Sequence, residues 1–346
     1  MGKIPARMKA VLLKDGGYAA SSLPASQVRE VAAFLEQGEA DVPKPRAGQV
    51  LIKVIGSMVN PSDLAFIQGG YGQPRVKGDP AGFEGIGRVV AGKGFMAKRL
   101  IGKRVSFVMG AKGSGAWAEY VAVDAATAIK LKDGVRDEDG AALVVNPLTA
   151  AAMVNMVPEK GAFIASGAAS QLGKLMAGLA EETGRRMIGT VRRDEPIQGL
   201  KDLGAKHVLN ETSESFWKDL AGVIAEEKPT YFLDCVAGSV SARVFDAMGN
   251  DSHWVVYGKL TTEPPEIIEP GKLIFQRKVI EGFWLVTWMR RTGILGKLKA
   301  IGQVQDRFAS GRWKTDISAK VPLGQVVSDL PKALNKADGK VMITME

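Results

Sequence analysis

The 346-residue sequence contains one cysteine and two histidines, and this scarcity removes several kinds of chemistry. A lone Cys235 forms no disulfide within the chain, which argues against the paired-cysteine scaffolds of secreted domains. Cys235, His207 and His253 together cannot furnish both a structural and a catalytic zinc centre, so no metal site is expected. Long apolar runs are also missing. The longest uncharged stretch, 140–158, carries Asn146, Pro147, Thr149, Asn155 and Pro158, each costly in lipid, and reads as buried loop and helix. The first ten residues are basic and lack an apolar leader core, so a cytoplasmic location is expected. Aromatics make up only 7% and do not interleave the basic residues. The net charge of +9 is scattered, with short pairs such as Arg192-Arg193 and Arg290-Arg291, which disfavours a nucleic-acid footprint and leaves an anionic small molecule as partner. No Gly-x-Ser-x-Gly elbow occurs, so hydrolase chemistry has no support.

The remaining composition, 46% hydrophobic and 24% charged, is that of a globular protein with a substantial core. At about 150 residues per domain, two domains are expected. Two textures meet near residue 130. Before it, short apolar runs recur between turn signals: Ala10 to Leu13, Val50 to Ile55, Gly85 to Ala91, Arg104 to Val108 and Ala118 to Val123. That spacing predicts an all-β unit. After it, strands at Ala162 to Ser166, Arg186 to Val191, Tyr231 to Val236, His253 to Tyr257 and Val279 to Leu285 alternate with helical stretches such as Gln171 to Glu182. A βαβ series implies a doubly wound parallel sheet covered on both faces, so the class is α/β. A helix over Ile294 to Ala309 and a last strand over Val341 to Met345 close the chain.

The most informative segment is Ala162-Phe-Ile-Ala-Ser-Gly-Ala-Ala-Ser-Gln-Leu-Gly173, a buried strand, a turn of small residues and then a helix. A dinucleotide site needs this order, because small side chains let backbone N–H groups and the helix N-terminus approach a pyrophosphate. Only Gly167 and Gly173 are glycines, with Ala168, Ala169 and Ser170 between, so the fingerprint is degraded and an ordinary strand-to-helix connection stays open. Two P-loop near misses fail: Gly87 to Lys93 is followed by Gly94, and Gly167 to Lys174 is one residue too long. At the end of the next strand Val191 stands where an NAD site places its acid, and Arg192 and Arg193 follow with donors suited to the 2′-phosphate of NADPH. The alternative is a solvated pair neutralised by Asp194 and Glu195.

These residues, together with Met8-Lys-Ala-Val11, Asn60-Pro-Ser-Asp63, Pro80-Ala-Gly-Phe-Glu-Gly-Ile-Gly87, Ile101-Gly-Lys-Arg-Val105 and Gly115-Ala-Trp-Ala-Glu-Tyr-Val121, resemble the medium-chain dehydrogenase/reductase superfamily in content and order. The resemblance implies a GroES-like β-rich catalytic domain over 1–130 and 291–346, and an inserted Rossmann NADP-binding domain over 131–290. Its zinc branch carries a histidine before the glutamate and a four-cysteine lobe. Phe83 precedes Glu84 here and the lobe is missing, so the chain looks like the zinc-independent quinone oxidoreductases, alkenal reductases and 2-enoyl thioester reductases. Asn60 to Tyr71, Val145-Asn-Pro-Leu-Thr-Ala150 and Glu281-Gly-Phe-Trp-Leu285 are similar to the enoyl reductase pattern, whereas Ser170-Gln171 departs from it.

The resemblance implies further roles. Tyr71 would donate the proton, with a mobile loop tyrosine as the alternative. Asn60 and Thr149 would meet the nicotinamide end, although Asn60 before Pro61 equally starts a turn. Gly167, Ala168, Ser170, Gln171, Leu172 and Gly173 would hold the pyrophosphate, and Tyr257-Gly-Lys259 would line the adenosine ribose or its phosphate. Phe283 and Trp284 would wall the substrate pocket, or else serve core packing or a subunit contact. A homodimer is implied, and hydride transfer from NADPH to a quinone, enone or enoyl thioester is the expected activity. Two other functions stay open: a non-catalytic NADPH-binding scaffold such as an RNA-binding or lens-type relative, and a subunit whose site has decayed.

Overall fold

A computed structural model of the chain describes residues 4–20, 23, 24, 28, 30–110, 113–335 and 339–345. In chain order the elements begin with β1 (Arg7–Leu13), β2 (Leu35–Asp41), β3 (Gln49–Val59), α1 (Pro61–Ile67), β4 (Glu84–Gly92) and α2 (Phe95–Arg99). Next come β5 (Arg104–Val108), β6 (Tyr120–Asp124), β7 (Ala128–Lys130) and α3 (Asp137–Ala141). A strand–helix series follows: α4 (Val145–Val154), β8 (Ala162–Ala165), α5 (Gln171–Glu182), β9 (Arg186–Val191), α6 (Pro196–Asp202), β10 (His207–Asn210) and α7 (Phe216–Glu227). It continues through β11 (Tyr231–Asp234), α8 (Ser239–Ala247), β12 (His253–Val256), α9 (Gly271–Phe275), β13 (Val279–Gly282) and α10 (Leu285–Arg291). The chain ends with α11 (Ile294–Ala309), β14 (Ile317–Pro322), α12 (Val326–Leu334) and β15 (Lys340–Thr344). None of the described helices is long and apolar enough to cross a membrane.

The chain divides into two compact units: Met1–Val145 with Gly302–Glu346, and Asn146–Ile301. The first boundary falls after α3 instead of near residue 130, because α3 packs on β3, β4 and β5 and belongs to the first unit. The second falls within α11, eleven residues beyond position 290.

In the first unit the strands run in the order β14-β15-β3-β4-β5-β7, and β6 also pairs with β3. The contacts are antiparallel except for β14 on β15. A separate ribbon joins β1 to β2. The core is built of branched aliphatics from β3, β4 and β5 with Phe66, Phe107 and the wholly buried Trp117. The last strand completes this sheet: Val341 of β15 lies opposite Val59 of β3.

The second unit is a six-stranded parallel sheet in the order β10-β9-β8-β11-β12-β13. Strand order reverses at β8, the switch point at which an open α/β sheet leaves a crevice beyond its C-terminal strand ends. All four residues of β8 are buried, as expected of a central strand with helices on both faces. At the far edge β13 carries Val279 and Ile280, 38% and 40% exposed.

Candidate cofactor and proton-donor sites

The second unit builds its site on the turn between β8 and α5. Gly167 has φ +58°, a conformation that side chains with a Cβ resist, and a Cβ there would stand 2.7 Å from Cys235 Sγ. The N–H of Ala168 donates to Thr190 O (3.0 Å), tying the turn to β9. Ser170 caps α5, its Oγ accepting from the N–H of Gly173 (3.1 Å). A Cβ on Gly173 would fall 2.2 Å from Ala168 O, so only glycine lets the helix start this close to the turn. Gln171 and Leu172 supply the rest of the first helical turn, where N–H groups have no intrahelical acceptor. This cradle, closed by two glycines and aimed along a helix axis, fits the diphosphate of a dinucleotide.

Beneath the turn lies a carboxylate that sequence reasoning missed. Asp234 is wholly buried at the end of β11. Its carboxylate accepts from Ser166 Oγ (2.6 Å), Trp254 Nε1 (2.9 Å), the N–H of Val236 (2.9 Å) and the N–H of Ala237 (3.0 Å). Ser166 Oγ in turn accepts from the N–H of Cys235 (2.9 Å), which joins the ends of β8 and β11. The signal available in the sequence was an acid closing an apolar run in a parallel sheet. Burial pushes the Cys235 thiol up to about 11 and makes it inert. The Tyr257 hydroxyl is also buried, beside Cys235 and Asp234, and burial raises it well above the ordinary phenol range. That hydroxyl is turned into the protein and is not presented to a ribose.

Arg192 and Arg193 follow β9. Arg193 Nε lies 4.0 Å from Glu195 Oε2, and Arg192 Nε lies 3.8 Å from Glu211 Oε1. Asp194 accepts from Asn210 Nδ2 (2.8 Å), so the acid facing Arg192 comes from the neighbouring strand. Thr149 is buried on α4, and the half-buried Phe283 and Trp284 lead from β13 into α10. The N–H of Phe283 donates to Val256 O (2.8 Å). His207 and Glu226 lie within 4.8 Å of Glu227, the one grouping of potential metal ligands among the described residues, but Glu227 is already bonded to Arg186 and His207.

In the first unit the expected nicotinamide contact Asn60 is 1% exposed and committed at both ends. Its Nδ2 donates to Glu84 Oε1 (2.8 Å), and its Oδ1 accepts from Lys340 Nζ. The second Glu84 oxygen accepts from the N–H groups of Val144 (3.2 Å) and Val145 (2.9 Å). Asp63 Oδ2 accepts from the N–H of Asn60 (2.8 Å). One ammonium thus faces two carboxyls in a buried site, and charges balance when one carboxyl keeps its proton. Burial, aided by the Glu84 charge, pushes Asp63 from 3.8 up to about 7. A carboxyl raised in the folded state stabilises least once it ionises, so stability falls as pH rises through roughly 4 to 7. Asp63→Asn is expected to raise Tm, relative to the unsubstituted protein, more at pH 8 than at pH 5. An equal effect at both values would contradict the protonated carboxyl.

Tyr71 sits on the same unit's core. Its ring centroid is 5.3 Å from that of Phe83, which in turn meets Phe66 at 4.9 Å with the rings tilted by 54°. Phe83, 6% exposed, fills the place before Glu84 where the zinc branch carries histidine, so an apolar support for Tyr71 replaces a ligand.

Comparison with known proteins agrees with these two units. Residues 46–133 match the model of the alcohol dehydrogenase GroES-like domain, and residues 172–299 match that of the zinc-binding dehydrogenase. The chain is 27% identical to the mitochondrial enoyl-[acyl-carrier-protein] reductase of Homo sapiens, with 99% of this chain and 97% of that one aligned. The corresponding Arabidopsis thaliana protein is also 27% identical, over 86% of this chain and 79% of its own. Among solved structures, a proposed NADPH:quinone reductase from Mesorhizobium loti superposes with a TM-score of 0.94 at 50% identity, covering 99% of this chain and 100% of that one. A mitochondrial 2-enoyl thioester reductase heterodimer from Candida tropicalis shares the fold, with a TM-score of 0.79 at 23% identity over 98% of this chain and 99% of that one. With a GroES-like unit, a Rossmann unit and Phe83 in place of a metal ligand, the chain belongs to the zinc-independent medium-chain dehydrogenase/reductase superfamily.

Proposed function

We propose that this protein is an NADPH-dependent, zinc-independent oxidoreductase acting on an activated double bond or a quinone. The observation that carries the reading is the glycine-closed turn between β8 and α5, with Arg192 and Arg193 following the adjacent strand. The 50% identical relative named as a proposed NADPH:quinone reductase and the 27% identical enoyl reductase support the same chemistry. When bound, the nicotinamide supplies the hydride.

The chain's own groups would divide the remaining work. Backbone N–H groups from Gly167 to Gly173 would bind the diphosphate, and Arg192 and Arg193 the 2′-phosphate. Thr149 would meet the nicotinamide end. Asn60 acts at one remove, since Glu84 and Lys340 already engage its amide. Tyr257 likewise supports the turn from within. Phe283 and Trp284 would offer an apolar wall. Tyr71 would give its phenolic proton to the α-carbon of the enolate left by hydride addition at the β-carbon, and recover a proton from solvent. Phe83 behind the Tyr71 ring fixes its direction. The exposed edge strand β13 would pair with a second copy, which a monomeric mass by light scattering would exclude.

Tyr71→Phe separates the two acceptor classes. A quinone can take its protons from water, whereas the enolate carbon needs a placed donor. Turnover of crotonyl-CoA with NADPH is expected to fall about a hundredfold, the general-acid range, with 1,2-naphthoquinone reduction changed by less than about threefold. Equal losses on both acceptors would remove the donor role.

A further inference from the structure

The parallel register of β9 and β10 sets Val191 beside Asn210, so the residues that follow, Arg192 and Glu211, leave the sheet side by side at its C-terminal edge. The N–H of Glu211 donates to Val191 O (2.8 Å), which extends the ladder one step and fixes where the acid starts. The pair is unequal: the Glu211 side chain is 14% exposed and that of Arg192 83%. The acid is therefore the anchored partner and the arginine the one free to move. The groups that face Glu211 are Arg192, which favours its charged form, and Asp234, which opposes it. Desolvation, joined by the Asp234 charge, outweighs Arg192 and raises its pKa above the ordinary glutamate value. Of the other acids at this edge, Asp194 is bonded to Asn210 and Glu195 lies beside Arg193.

We propose that Glu211 is a specificity-determining residue of the nucleotide site, competing with the adenosine 2′-phosphate for Arg192. The inference rests on the nucleotide reading given above and deepens it. One guanidinium cannot neutralise both a half-desolvated carboxylate and a phosphate dianion. When NADPH engages Arg192, Glu211 loses its counter-charge and gains a like charge, so it either stays ionised at a cost or takes up a proton from solvent. NADH carries a hydroxyl at the same place and leaves the Arg192–Glu211 pair standing. Glu211 thus narrows a preference that Arg192 creates, and narrows it more as pH rises.

The test is nucleotide affinity, read from the nicotinamide fluorescence of NADPH and NADH bound to the full chain at pH 6 and pH 8. Glu211→Gln keeps the size of the side chain and removes the charge. It is expected to tighten NADPH binding about tenfold at pH 8 and no more than about threefold at pH 6, with NADH changed by less than about twofold at either pH. Taking the ratio of variant to unsubstituted protein cancels the phosphate's own titration near pH 6. An NADPH-to-NADH affinity ratio that shifts by less than about twofold at both pH values would overturn the role of Glu211. Failure of the unsubstituted protein to bind NADPH at all would instead remove the nucleotide reading, and this inference with it.

Discussion

Gly173→Ala is expected to weaken NADPH binding at least about a hundredfold, or about 3 kcal/mol. The added Cβ would lie 2.2 Å from Ala168 O and 2.6 Å from Ala168 C and Cα, all backbone atoms that cannot rotate away. Relief requires that α5 withdraw from the turn or that the turn itself shift. Either movement displaces the N–H groups of the first helical turn, whose aim along the helix axis is what a diphosphate needs. Gly222 is the matched control. It lies on the exposed side of α7 in the same unit, and a Cβ there meets nothing within 4 Å. Gly222→Ala should leave NADPH affinity unchanged and stabilise the unit by about 0.5–1 kcal/mol, the helix-interior preference for alanine. The measurement is nucleotide titration of both variants beside their thermal unfolding. If the two bound NADPH equally well, the turn would not be the diphosphate site.

Lys340→Met should be the most damaging substitution in the first unit, with a loss of about 3–5 kcal/mol for breaking a buried charge cluster from one side. Lys340 is 7% exposed, and its ammonium is the cation that acts on both Glu84 and Asp63. Its removal leaves Asn60 Oδ1 without its donor and Glu84 without its counter-charge. Denaturant unfolding of the single variant and of Lys340→Met combined with Glu84→Gln decides the cause. The second change removes the stranded charge, so the double variant should recover much of the loss. Strictly additive losses would mean that Lys340 acts through packing of its stem alone.

Much of the fold can be read from the residues, and the failures have physical reasons. Apolar runs gave away β5, β8 and β9, and helical spacing gave away α5 and α11, because each buries a face whose periodicity survives in sequence. Strand β2, Leu35-Glu-Gln-Gly-Glu-Ala-Asp41, has no such run. It is mostly solvent-facing and is held as a strand by backbone pairing with β1. Strand β10 is four residues long with a single fully buried side chain, too short to show a period. The glycine-closed turn between β8 and α5 was legible because its small residues are a local requirement. Asp234, Glu211 and Lys340 were not. Each gains its meaning from a strand next to it in space but distant in sequence: β8 for Asp234, β9 for Glu211 and β3 for Lys340. Asn60 shows the converse ambiguity, since the same asparagine suits a ligand contact or a structural junction, and only its neighbours Glu84 and Lys340 reveal the junction.

The pairing of β15 with β3 also orders events during synthesis. The second unit is one continuous segment, Asn146–Ile301, and can fold as soon as it leaves the ribosome. The first unit begins earlier and finishes later, because the strand opposite Val59 runs only from Lys340 to Thr344. Until those residues emerge, the 56–59 end of β3 remains an open edge, and the carboxyls of Asp63 and Glu84 await the only ammonium that bonds to Asn60 among the described residues. The nascent chain therefore carries a finished nucleotide-binding unit beside an unfinished one, so the half that would hold the nucleotide matures before the half that would donate the proton.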